Sequence, residues 1–218
     1  MFALVAIWIV ATAAAVGIAL ALDDPVGGGG RDAAQPIVAG VVVAPGQELT
    51  AGDSALGPLA LVLNTSPPAE VAGLQPDAQV AELRRRAQER ETPRRLVELG
   101  AALQGTGDGP GAEAAYRRAL ELDADDIAAR VGLAMVDGAT GTDGLDRAGR
   151  ALQRLSVERP RDQLVAFNQG WLAVYRRDVP TVRAAWLRTI RLGGETRLGR
   201  TAQQLLAALE RGRAGASP

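Results

Sequence analysis

Three aromatic side chains recur at four-residue steps in the stretch FNQGWLAVY, in a chain that has only seven aromatic residues. They are Phe167, Trp171 and Tyr175. On an α-helix this spacing places all three rings along one stripe. Such a stripe either fills a core or lines a surface that binds a partner, so the chemistry it offers is non-covalent. The elements around the stripe must decide between these two roles.

Catalytic chemistry has few candidate residues in this sequence. The chain contains no Cys and no His, which removes thiol nucleophiles, disulfides, the usual zinc sites and imidazole acid–base catalysis. No serine lies in a G-x-S-x-G motif. The densest acidic cluster, DADD at 123–126, lacks the pattern of a calcium loop and suits the turn before a helix, where acids cap the N-terminus. We therefore predict a protein that is not an enzyme and has no catalytic, metal-binding or cofactor-binding residues.

Residues 2–22 carry no charge and are long enough, at ~1.5 Å per residue, to span ~30 Å of hydrocarbon. They predict a transmembrane anchor over residues 1–22. The alternative is a cleaved signal peptide, because Ala19 and Ala21 have the small-x-small form, although no basic n-region precedes them. Acidic residues follow the apolar run, so the remaining chain is expected outside the cytoplasm. It is then either held at the cell membrane by a single pass or secreted after cleavage.

Residues 23–77 are predicted to be a flexible linker with a short strand-like segment. The linker opens with the glycine-rich tether DDPVGGGGRD. Clusters of Val and Ile between turn residues then favour short strands over residues 36–63. Because two or three strands bury little surface alone, we expect this segment to pack on the helical region or to be completed by a partner.

The region after residue 77 has helical periodicity and a recurring pattern, and Thr92 and Pro93 are expected as the N-cap and first residue of one helix. The stretches LVELGAAL and AEAAYRRALELDA place small and apolar residues at the spacings of the tetratricopeptide repeat (TPR): Leu96, Leu99, Gly100, Leu103, Ala112, Tyr116, Ala119 and Ala124. The pattern returns at Ala134 and Gly170, and Trp186 follows Gly170 by the sixteen residues that separate Tyr116 from Gly100. Close helix crossings are therefore expected at Gly100 and Gly170. The chain therefore resembles the TPR family over residues 93 to about 193.

This resemblance implies an all-α fold, a TPR-type helical solenoid of about three repeats plus flanking helices, behind the transmembrane helix and the linker. After the repeats, one helix face gathers Leu198, Ala202, Leu205, Leu206 and Leu209, as expected of a capping helix. We assign residues 78–213 to the TPR domain and its cap, and residues 214–218 to a disordered tail.

In TPR proteins the first helix of each repeat lines a concave groove that holds a peptide. The resemblance implies that the stripe faces this groove and that Asn168 bonds the backbone of a ligand. The predicted partner-binding residues are Phe167, Asn168, Trp171, Tyr175, Val131 and Met135. The groove positions of the first two repeats are mostly small or apolar, so an apolar or extended segment of a protein partner is expected. They are Arg94, Val97, Ala101 and Gln104 in the first repeat and Ala128, Val131 and Met135 in the second. Alternatively, the first repeat, the segment 23–80 or the cap covers the stripe and makes it core.

The predicted function is that of a membrane-anchored TPR scaffold that binds a protein partner in envelope complex assembly. The architecture also resembles the TPR-bearing assembly factors of bacterial c-type cytochrome maturation, which present apocytochrome to the haem ligation machinery. Nucleic acid is not an expected partner, because acidic residues interleave with the 24 basic ones. A small-molecule substrate is not expected either.

Overall fold

The computed structural model describes residues 59–65 and 67–215, with side chains as far as Glu210. The predicted anchor, the glycine-rich tether and most of the strand-like segment lie outside the described residues. Among the described residues, no helix is both long and apolar enough to cross a membrane.

Nine α-helices and no strands make up the regular structure of the described residues, which confirms an all-helical fold for this part of the chain. The helices are α1 (Ala69–Ala72), α2 (Pro76–Glu89), α3 (Pro93–Gly105), α4 (Gly109–Leu122), α5 (Ile127–Gly138), α6 (Thr142–Glu158), α7 (Gln163–Tyr175), α8 (Val179–Gly193) and α9 (Arg197–Gly215).

The helical region differs from the predicted one at both ends. It starts earlier, because α2 begins at Pro76 and the short helix α1 lies within the predicted linker. A four-residue helix carries no periodic signal, and α1 is held through the fully buried side chain of Val71. At the other end α9 continues through Gly215, two residues into the predicted tail.

Side chains that precede α3, α4, α5, α7 and α8 accept hydrogen bonds from backbone N–H groups in the first turns of these helices. The Thr92 hydroxyl accepts from the N–H of Arg95 at 3.3 Å, and Pro93 is the first residue of α3, as the sequence predicts. In the DADD cluster, Asp126 accepts from the N–H of Ala129 at 2.8 Å and caps α5. The acidic cluster therefore has the capping role that its position in the sequence indicates.

The helices from α3 to α8 pack as three consecutive pairs. Turns of three residues join α3 to α4, α5 to α6 and α7 to α8, whereas four residues connect one pair to the next. From α1 through α7, each helix packs against its successor in the chain, and α3, α5 and α7 also pack side by side. The first helices of the three predicted repeats thus form one layer, which we call the inner layer.

Glycines allow bulky rings to sit against the inner layer. A β-carbon on Gly100 would lie 2.6 Å from the Tyr116 ring, and one on Gly132 would lie 2.5 Å from the same ring. In the third pair, a β-carbon on Gly170 would lie 2.5 Å from the indole of Trp186. The close crossings predicted at Gly100 and Gly170 are confirmed. The fully buried Tyr116 ring also joins two neighbouring pairs, because Gly132 belongs to α5.

Candidate functional site

An extended segment of the chain itself crosses the inner layer. We call residues 59–65, with the sequence LALVLNT, the strap, and the surface of α3, α5 and α7 that it contacts the inner groove. The side chains of residues 59–62 are buried, yet the strap has no regular secondary structure. The prediction of a short strand is therefore wrong for residues 59–63. Their backbone groups bond to helix side chains instead of to a neighbouring strand.

The side-chain amide of Gln104, on α3, holds one edge of the strap. Its Nε2 donates to the carbonyl oxygen of Leu59 at 2.8 Å, and its Oε1 accepts from the N–H of Leu61 at 3.1 Å. The hydroxyl of Tyr116 also donates to Oε1, at 3.0 Å. Because the Leu59 carbonyl can only accept and the Leu61 N–H can only donate, the orientation of the amide is determined by the strap.

The side-chain amide of Asn168, on α7, holds both backbone polar groups of Val62. Its Oδ1 accepts from the Val62 N–H and its Nδ2 donates to the Val62 carbonyl oxygen, each at 3.0 Å. The second hydrogen of Nδ2 goes to the Leu164 carbonyl oxygen at 2.9 Å. Asn168 has no solvent exposure, and both donor hydrogens of its amide are used.

Gln104 and Asn168 bond alternate residues of the strap. In an extended chain the backbone groups of successive residues point to opposite edges, so Leu59 and Leu61 present theirs to one side and Val62 to the other. The two amides, from helices at opposite ends of the inner layer, match this alternation. These contacts recognise an extended backbone and are independent of which side chains it carries.

A gap in α5 receives the side chain of Leu59. A β-carbon on Gly138 would lie 2.8 Å from Leu59 Cδ2 and 3.2 Å from both Ala148 and Leu172. Gly138 follows Ala134 by four residues, as Gln104 follows Gly100, so the two occupy equivalent positions in successive repeats. At this position Gln104 of α3 bonds the strap backbone, whereas Gly138 of α5 leaves an apolar socket for a strap side chain.

The cap helix α9 contacts the end of the strap. One guanidinium nitrogen of Arg197 donates to the carbonyl oxygens of Leu63 and Thr65, each at 2.9 Å. The Leu198 N–H donates to the side-chain oxygen of Asn64 at 3.3 Å. Burial lowers the pKa of Arg197, which is partly removed from solvent. The strap thus spans from α3 to α9.

The aromatic stripe is mostly buried in this chain. Phe167 is fully buried and stacks on Trp186 with ring centroids 6.1 Å apart. Trp171 is 1% exposed and meets the edge of Tyr175 at 6.0 Å. Tyr175 is half-buried, and burial raises its pKa. As placed here, Phe167 and Trp171 are not open to solvent, which is the arrangement of the alternative in which the stripe packs within the chain.

The other predicted binding residues, Val131 and Met135, are also fully buried. Among the six predicted partner-binding residues, Asn168 makes directional contacts to the extended strap. Whether an external partner also uses these six residues remains a prediction.

Trp171 contains one unsatisfied polar atom. Its Nε1 is buried and has no hydrogen-bond partner, which makes it the one such side-chain nitrogen or oxygen in the described part of the chain. Burying an unpaired N–H costs ~1–3 kcal/mol, so native structures rarely keep one without a reason. Trp171 follows Asn168 by three residues and therefore shares its face of α7.

Three contact residues of the strap were absent from the predicted site. Gln104 was recognised as a groove position, but it was grouped with a mostly apolar wall. Its polar side chain on an inner helix face was the available signal, because a buried amide requires partners. Gly138 and Arg197 had no comparable local signal, since their roles depend on a segment far away in sequence.

Metal-binding geometry does not occur in the described residues, where no group of three or more acidic side chains could hold an ion. A cleft of about 330 Å³ opens beside α6 and α7. Charged side chains at its border are solvent-exposed, as in the 3.1 Å ion pair between Arg176 and Asp146. This cleft lacks the buried polar groups that distinguish the inner groove.

Comparison of the chain with protein-family models, with curated proteins and with solved structures gives no match.

Proposed function

We propose that this protein is a non-catalytic, membrane-anchored scaffold of the TPR type, whose inner groove binds an extended apolar segment of a protein partner during envelope complex assembly. The observation that carries the proposal is the pair of buried amides, Gln104 and Asn168, which hold an extended apolar chain by its backbone. Membrane attachment in the proposal rests on the uncharged run at residues 2–22.

The bonding pattern favours an extended segment over a helical one. A helix uses its backbone N–H and C=O groups internally, so it has none to offer to Gln104 and Asn168 along its length. An extended segment leaves these groups free, and each bond contributes ~0.5–1.5 kcal/mol net. Backbone bonds then supply affinity, while sockets such as the one at Gly138 select side chains.

The buried environment favours an uncharged segment. The strap carries no charged residue, and Leu59, Leu61 and Val62 are at most 7% exposed. A charged side chain at these positions would lose its hydration without gaining an ion partner. The proposed partner therefore presents consecutive apolar residues.

A photo-crosslinking experiment tests the proposal in native membranes. Benzoylphenylalanine replaces Tyr175, which is half-buried at the end of the stripe, and in a control it replaces the exposed Arg177. We expect position 175 to capture an envelope protein through an apolar stretch that mass spectrometry identifies, and position 177 not to capture it. Equal capture of the same protein from both positions would contradict the proposed function.

A further inference from the structure

The strap has the contacts of a bound peptide more than those of a structural element. Its hydrogen bonds through residues 59–63 go to side chains on three helices, at Gln104, Asn168 and Arg197. The helices, in contrast, pack on one another directly, with the Tyr116 and Trp186 rings between them. The inner layer is thus assembled from contacts that do not involve the strap.

From this arrangement we propose that the strap is an intramolecular ligand of the inner groove, and that an extended, uncharged apolar segment of a protein partner binds by displacing it. This inference rests on the proposed function and adds to it the state of the groove before the partner arrives. It also identifies the partner chemistry, because the strap shows which chain the groove accepts.

The connection between strap and helices makes the strap a strong competitor. Ten residues separate Thr65 from Pro76, and they include the α1 helix and two prolines, Pro67 and Pro68. Short linkers give a tethered ligand an effective concentration in the millimolar range. The apparent affinity for an external segment is therefore the intrinsic affinity multiplied by the fraction of molecules in which the groove is open.

The unpaired indole of Trp171 gives an external segment an advantage. With the strap in place, Trp171 Nε1 is buried without an acceptor, although Asn168, one turn away, is fully bonded. A partner segment that reached this atom with a hydroxyl or carbonyl oxygen would satisfy the N–H, which no strap residue does.

The residues of the strap define the segment that would compete. Its first four side chains, Leu-Ala-Leu-Val, are buried, and the Leu59 side chain fills the space above Gly138. Asn64 adds two directional contacts: its side-chain oxygen accepts from the Leu198 N–H of α9, and its Nδ2 donates to Gln163 Oε1 at 3.4 Å. The matching probe is the heptapeptide LALVLNT, and the negative control is LADVLNT, which places a carboxylate at the position of Leu61.

The test uses the full-length protein in detergent and the fluorescein-labelled heptapeptide LALVLNT. The strap-release variant Leu59→Asp/Val62→Pro places a charge against the socket and removes the N–H that Asn168 accepts, and it leaves every helix residue unchanged. The matched control is Thr65→Ser, at an exposed strap position. Fluorescence anisotropy measures peptide binding, and circular dichroism confirms that the helices are retained.

We expect the strap-release variant to bind the peptide at least ~10-fold more tightly than the parent and the Thr65→Ser control, and not to bind LADVLNT. Adding Asn168→Leu to the release variant should abolish binding. Equal affinities of the parent and a folded release variant, or a folded release variant that does not bind, would overturn the inference.

A second design keeps the strap sequence intact, in case the release variant does not fold. A protease site inserted between Thr65 and Pro67 allows the strap to be cut from the folded protein, so that it becomes a separate ligand. The labelled heptapeptide should then exchange into the groove, and unlabelled heptapeptide should compete with it. A cut protein that remains helical and never takes up the peptide would refute displacement.

Failure of this inference can be distinguished from failure of the proposed function by crosslinking at position 175 in the parent and in the release variant. Capture of the same envelope protein with equal yield in both would retain the scaffold function and exclude the strap as a competitor. Absence of any captured protein, even with the strap released, would reject the proposed function.

Discussion

The amide of Asn168 bonds both the N–H and the C=O of Val62 at 3.0 Å, across 106 residues of sequence. This contact joins the third helix pair to a segment that precedes every helix of the described residues. Asn168 has no solvent exposure and Val62 is 7% exposed, so the amide and the backbone groups of Val62 supply each other's hydrogen bonds where water is largely excluded. The stability of the strap against the inner layer therefore depends directly on this side chain.

Replacing Asn168 by Leu should destabilise the protein by at least roughly 1–3 kcal/mol, the cost of one unpaired buried group. The change leaves the Val62 N–H and C=O buried without partners, and each unpaired group retains its desolvation cost. Chemical denaturation measures the loss, and hydrogen exchange at the Val62 amide should become faster. Gln169→Leu is the control, because Gln169 is partly exposed and water can replace its bonds. Equal losses in the two variants would argue against a specific role for Asn168.

Trp171→Ala should cost about 3–5 kcal/mol, the range for deleting a large buried aromatic side chain. Trp171→Phe should cost much less, since phenylalanine retains most of the ring volume and removes the unpaired N–H. Thermal unfolding compares the losses of stability in the two variants, with Tyr175→Ala as the control at a half-buried position. If Trp171→Ala melted like the parent, the ring would not be part of the core described here.

Gly100→Leu should destabilise the fold by at least ~1–3 kcal/mol, because the side chain would enter space occupied by the Tyr116 ring, 2.6 Å from the β-carbon position. Gly105→Ala, in the same helix, is the matched control, since nothing lies within 4 Å of its β-carbon position. Denaturant midpoints compare the two. A tolerated leucine at position 100 would contradict the close crossing of α3 and α4.

Arg177→Gly should leave the protein as stable as the parent or stabilise it by up to ~1 kcal/mol. Arg177 has φ 56°, a left-handed conformation that side chains other than glycine adopt at a cost. The first pair has Gly107, with φ 86°, at the equivalent position seven residues after its inner glycine. The reciprocal change Gly107→Ala should lower the melting temperature. A loss of stability in Arg177→Gly together with a gain in Gly107→Ala would contradict the equivalence of these turns.

The contribution of Glu82 to stability should disappear in acid. Hydrogen bonds from Arg85, and next from Arg86, lower the pKa of Glu82 from 4.5 to about 2. Because the folded pKa is the lower one, this stabilisation is fully present above pH 4.5 and is lost as the pH falls towards 2. The stability difference between the parent and Glu82→Gln should shrink across this window, and added salt should reduce it at pH 7. A carboxyl NMR titration with a midpoint near 4.5 would contradict the assignment.

The local chemistry of the sequence was sufficient to predict most of the helical framework. Thr92 with Pro93 and the acids at 123–126 indicated helix starts, because capping involves residues that are close in the chain. The sixteen-residue spacing from Gly100 to Tyr116 and from Gly170 to Trp186 indicated close helix pairs, because small and large residues must alternate for two helices to approach. These features repeat along the chain, so a pattern could reveal them.

The occupancy of the inner groove was decided only by the tertiary structure. The sequence placed Asn168 and the aromatic stripe on one helix face, and it left open whether a partner or the chain itself covers that face. In the described residues the strap occupies part of the inner groove, through contacts of Gln104 and Asn168 with residues 43 and 106 positions away. These long-range pairings arise because buried amides need hydrogen-bond partners and because Gly138 leaves space for the Leu59 side chain. Neither requirement produces a periodic pattern in the local sequence.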